Sequence, residues 1–125
     1  FVNLYPNSER VERCNILIDE IRAKLEQKAL ATADLYYKLG RYQAANRTYK
    51  NVLKDYPDTK EAARVQLKII DASYEYASNS IDARKKERYQ STVTEYMEFI
   101  SRYPESSYRK EAESIYKSVM AKLKN

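Results

Sequence analysis

The stretch Asp55–Ala63 reads "DYPDTKEAA", and its pattern occurs three times in the chain. From Leu4 the sequence runs "LYPNSERVE", and from Arg102 it runs "RYPESSYRKEA". All three prolines of the protein therefore follow a tyrosine and precede an acid or amide and then Ser or Thr. They stand roughly fifty residues apart, a period typical of helical repeats. Proline pushes the residue before it out of the α region, so each unit should stop one helix. Asp58 then offers an N-cap to the next helix, with Glu61 placed to complete a capping box. The tyrosine is left to pack across the corner.

The segments between these corners are helix-forming. From Ser8 to Leu39 there is neither Gly nor Pro, which predicts one long helix. Val11, Cys14, Ile18, Ile21 and Leu25 form one helical stripe, and a second continues as Leu30, Ala33 and Tyr37, with a bend expected near Gln27. Cys14 on this stripe reads as a buried structural thiol, since nothing near it would lower its pKa. Gly40, the only glycine, falls where that helix must end. A second helix is expected from Arg41 to Tyr56, burying Tyr42, Ala45, Tyr49, Val52 and Tyr56.

Beyond Thr59 two adjacent stripes run together, Ala62, Val65, Ile69, Ala72 and Tyr76 beside Ala63, Leu67, Ile70, Tyr74 and Ala77. So wide an apolar arc predicts a helix packed on two sides. "SNSID" reads as a turn, and "DARKKER" (Asp82–Arg88) as the solvated start of the next helix. Tyr89, Val93, Tyr96 and Ile100 give the fourth helix its face, and Pro104 closes it. Tyr108, Ala112, Ile115, Val119 and Leu123 line a fifth. The expected fold is all-α, a single domain over residues 1–125.

Composition narrows the function. The 125 residues are 43% hydrophobic and 33% charged, enough for a core but with no long apolar run. Thirteen tyrosines at helical spacing predict a core built partly of amphipathic rings whose hydroxyls need partners. Histidine is absent, which removes the commonest general base and metal ligand. No carboxylate pair falls on a common site, so no catalytic, metal or cofactor residue is assigned. A net charge of +5 points weakly to an acidic partner face, and the acids that break up the basic run argue against nucleic acid. On the second helix Gln43, Arg47, Lys50 and Lys54 lie opposite Tyr49 and Val52 and should point outward, as an ordinary solvated face unless a partner covers them.

Counted back from Pro57, Tyr49, Ala45, Tyr36 and Ala33 stand at offsets that resemble a tetratricopeptide repeat. Small residues let paired helices approach closely, and aromatics fill the space beside them. The unit ending at Pro104 keeps Tyr96 and Phe99 but lacks the matching small residues. It also reads as having a longer connection between its two helices, around Asn79–Arg88. The chain is thus expected to form a right-handed helical array of about five helices, with the second unit degenerate.

The segment "ADLYYKLGRYQAANRTYKNVLKDYPDTKEA" with its flanking helices resembles the C-terminal half of the BamD (YfiO) family of outer-membrane β-barrel assembly lipoproteins. The likeness spans Leu4–Tyr76 and is most specific over Ala33–Thr59, where the family reads "AEYY…G…VVNRV…LRDYPDT". Ser78–Asn125 adds a helix pair that resembles members from Bacteroidetes. The resemblance implies a non-enzymatic scaffold on the periplasmic face of the outer membrane, and "FVNLYP" then reads as the end of an earlier helix. Cys14 after "VER" lacks the small apolar residues of a lipid-attachment box, so the membrane anchor is expected upstream. Implied partners are the POTRA domain nearest the barrel of the central assembly protein, other assembly lipoproteins and unfolded outer-membrane proteins. Arg47 matches the arginine of the family's "NR" pair, which is implicated in an ion pair with that POTRA domain. Two other readings stay open on the residues alone, a periplasmic adaptor for cell-envelope or cell-division proteins and a basic nucleic-acid-binding repeat.

Overall fold

The computed structural model describes residues 8–124 and contains five helices and no strand among them. They are α1 (Ser8–Lys38), α2 (Tyr42–Asp55), α3 (Ala62–Ser78), α4 (Asp82–Arg102) and α5 (Arg109–Lys124). Each helix packs on the next, and α3 also touches α5. This is a tetratricopeptide-like array of helical hairpins.

The corners follow from local chemistry. Gly40 takes φ +78, a left-handed conformation that side-chain-bearing residues rarely adopt. Its N–H donates to the Tyr37 carbonyl and the Arg41 N–H to the Tyr36 carbonyl, the paired bonds of a Schellman motif. At the two described Tyr-Pro corners, the Tyr56 N–H donates to Val52 O and the Tyr103 N–H to Phe99 O, both at 2.8 Å. Both helices end one residue before the proline's tyrosine. The third unit, Tyr5–Pro6, and the "FVNLYP" reading lie outside the described residues.

The restart after each proline differs from the expected capping box. α3 begins at Ala62, its N-cap is Glu61, and no side chain caps it. The intervening turn carries Asp58 too far back to reach the first helical amides. Thr59 braces the turn itself, its hydroxyl accepting from the Glu61 N–H at 3.1 Å. Ser106 repeats this in the next corner, accepting from the Tyr108 N–H at 3.1 Å. The Ser/Thr of the repeated unit is thus its turn-forming residue. Asp58 instead meets Arg22 of α1 at 3.3 Å, and Glu61 pairs with Arg64.

The two stripes of α3 feed different halves of the core. Val65, Ile69 and Ala72 join Leu30, Ala33, Ala45, Tyr49 and Val52, with Tyr36 and Tyr56 packed against them. Leu67 and Ile70 face the other way, onto Tyr96, Phe99 and Ala112. Tyr96 stacks on Tyr116 with ring centroids 4.3 Å apart, fastening α5 to α4. Ala33 and Ala45 are completely buried where α1 and α2 meet. Ala45→Leu is therefore expected to overpack that crossing and cost about 1–3 kcal/mol. Chemical denaturation of the two proteins measures this, and an unchanged midpoint would contradict the placement.

Two further expectations are corrected. The connection between α3 and α4 is only Asn79–Ile81, because Asp82 opens a helix with pairs to Lys85 and from Arg84 to Glu87. The extra length of the second unit is helix, not loop. The front of α1 is also exposed. Cys14 is solvent-accessible, and Ile18, Ile21 and Leu25 are more than half exposed. α1 has 31 residues and α2 has 14. At 1.5 Å per residue, α2 is about 25 Å too short to cover α1. Periodicity marked an apolar face correctly, but within the described residues only its C-terminal half is packed.

Candidate functional site

The outward stripe of α2 divides into two parts. Gln43 and Arg47 face solvent, and Arg47 has no ion-pair partner among the described residues. Its neighbour Asn46 turns inward, donating from Nδ2 to the Ile69 carbonyl at 2.9 Å and to the Glu95 carboxylate at 3.4 Å. Adjacent helical residues point about 100° apart, so fixing Asn46 in the core fixes the direction of Arg47.

Lys50 differs from the expectation. Although half exposed, its Nζ lies 2.7 Å from Oε1 of Glu95 on α4. Glu95 is itself buried, and Lys50 and Asn46 supply its polar partners. Lys50 thus joins α2 to α4 rather than standing free. Lys54, one turn on, is exposed and rims a groove between α2 and α4. The sequence reading singled out neither Glu95 nor the floor residue Gln66. Gln66 lies between the two apolar stripes of α3, and Glu95 lies one turn before the buried Phe99 on α4. For Gln66 the available signal was a polar residue flanked on both sides by apolar stripes.

The residues assigned structural roles lie at the helix crossings and corners. Ala33, Ala45 and Tyr49 are fully buried and Tyr36 half-buried, while Gly40, Pro57 and Pro104 stand at the exposed corners. The Tyr49 hydroxyl donates to the Asp34 carboxylate of α1. Burial, and then that bond, push the Tyr49 pKa far above its ordinary value. Tyr37 is shifted the same way, by burial and then by Asp71. No group of three or more His, Cys, Asp or Glu able to hold a metal occurs among the described residues. No helix there is long and apolar enough to cross a membrane.

A family model named YfiO, described as outer membrane lipoprotein, fits residues 1–89. That span takes in α1, α2, α3 and the first turns of α4, and so runs past Tyr76. No curated protein matches the chain.

Proposed function

The chain belongs to the YfiO family of outer membrane lipoproteins, and on that premise we propose that it is a non-enzymatic scaffold of the outer-membrane β-barrel assembly machinery. It works on the periplasmic face of the membrane by holding the POTRA domain nearest the barrel of the central assembly protein. Other assembly lipoproteins and unfolded outer-membrane proteins are further partners. The observation that carries this reading is Arg47, a guanidinium with no ion-pair partner among the described residues and held outward by the anchored Asn46 beside it. Guanidinium presents a planar fork that suits a carboxylate bidentately. Gln43 and Lys54 extend the polar face along α2.

The test is direct binding between this chain and the purified POTRA segment of the barrel subunit from the same organism, measured by biolayer interferometry. Saturable binding that weakens as salt is raised is expected, because partly exposed charge pairs are screened. Absence of saturable binding at low salt would overturn the proposal.

A further inference from the structure

Charge is spread unevenly over the chain. Residues 82–88 and 117–124 hold seven of the 23 basic residues and two of the 18 acids. The remaining sixteen bases and sixteen acids cancel, so these two segments carry the whole net charge of +5. They are the start of α4 and the end of α5, and the fold lays them side by side. Tyr89 and Val119 share a core cluster there, with Leu123 packed against it. Lys85, Lys86 and Lys122 converge on one concavity of about 370 Å³, with Leu123 in its wall. Lys85 meets Asp82 at 3.5 Å, but Lys86 and Lys122 have no ion-pair partner among the described residues. Like charges gathered in this way repel one another, and an external anion relieves them.

The neighbours of the patch select among anions. Ile81, directly before α4, is 70% exposed, the most of any large apolar side chain described. An apolar side chain ringed by lysines suits the boundary between phospholipid headgroups and acyl chains. Lysine stems can lie along that boundary while their ammonium groups reach the phosphates. Tyr89 is buried with its hydroxyl on Ser78 at 3.1 Å, so it offers no face on which a nucleic-acid base could stack. The chain belongs to a family of outer membrane lipoproteins, which puts a phospholipid surface within reach. Clustered Lys and Arg beside an anionic leaflet gain about fivefold in partition per charge.

We infer that the tip formed by the start of α4 and the end of α5 docks on an anionic phospholipid surface. Lys85, Lys86 and Lys122 meet the headgroup phosphates, and Ile81 inserts between them. This contact rests on the family's membrane and not on POTRA docking at Arg47, so either can fail without the other.

The probe is sucrose-loaded vesicles, of phosphatidylcholine alone or mixed in equal parts with phosphatidylglycerol, sedimented with this chain. The chain should pellet with the mixed vesicles at low salt and be released as salt is raised. With phosphatidylcholine alone it should stay in solution. Lys86→Glu combined with Lys122→Glu should weaken partition more than about 100-fold, because each reversal removes an attraction and adds a repulsion. Both side chains are exposed, so the double variant should fold. Lys60→Glu combined with Lys110→Glu makes the same change of net charge just before α3 and at the start of α5, and should cost far less. Ile81→Ser should weaken partition several-fold while leaving α4 intact, since Ser caps helices well. Equal pelleting with the two vesicle types, equal losses in the two double variants, or wild-type partition of Ile81→Ser would overturn the inference. So would capture of soluble polyglutamate under conditions where the mixed vesicles are not bound, which would assign the tip to an acidic protein.

Discussion

Tyr49→Ala is expected to lower the unfolding free energy by about 3–5 kcal/mol, the usual loss when a buried aromatic is truncated. The ring is completely buried and sits among Ala33, Ala45, Val65 and Ile69, where α1, α2 and α3 converge. No neighbour can collapse into the space without moving a helix. Tyr49→Phe separates the ring from its hydroxyl. That variant leaves the packing and removes only the bond to Asp34, which is half-exposed and can regain water. It should cost about 1 kcal/mol, in line with one ordinary hydrogen bond.

The hydroxyl also sets a pH dependence. Folding holds the Tyr49 proton far more tightly than the unfolded chain does, where tyrosine titrates near 10. A group whose folded pKa is raised contributes stability that is fully present below the unfolded value and lost as pH rises above it. Tyr37 adds to the same trend. Stability should therefore fall above about pH 10, and less steeply in Tyr49→Phe than in the wild type. Urea titrations at neutral and alkaline pH measure both effects. A wild-type midpoint in Tyr49→Ala, or equal alkaline slopes, would contradict the placement of this ring.

What could be read from the sequence was local or periodic. The Tyr-Pro corners and Gly40 act through their own backbone, so helix ends near Tyr56 and Tyr103 were legible. The double stripe of α3 was legible as well, because both its sides are covered by helices of this chain. The exposed front of α1 was not, since a stripe at Cys14, Ile18 and Ile21 reports an apolar face and not what covers it. Asp58 failed as a cap for a geometric reason, the turn that separates it from Ala62, and Thr59 shapes that turn without capping the helix. The Lys50–Glu95 pair joins residues far apart in sequence, and only the packing of α2 and α4 on the shared α3 brings them within reach. Gln66 was hidden between two apolar stripes that both pointed inward.

Arg47→Ala is expected to leave folding intact and to weaken POTRA binding strongly. The side chain is exposed, and surface changes of that kind shift stability by less than about 0.5 kcal/mol. Binding is another matter. Truncating one member of a charge pair that becomes buried in an interface costs on the order of 2–5 kcal/mol, whereas a pair left at the rim costs far less. Even the lower figure corresponds to roughly 30-fold in affinity. Arg47→Lys should recover part of the loss, because lysine keeps the charge but not the planar fork. Lys85, on the exposed first turn of α4, pairs with Asp82 and serves as the control for general basicity. Isothermal titration of the POTRA segment into wild type, Arg47→Ala, Arg47→Lys and Lys85→Ala tests the docking face most directly. The account predicts that wild type and Lys85→Ala bind alike, Arg47→Lys binds more weakly and Arg47→Ala binds weakest. Equal affinities for wild type and Arg47→Ala would contradict it.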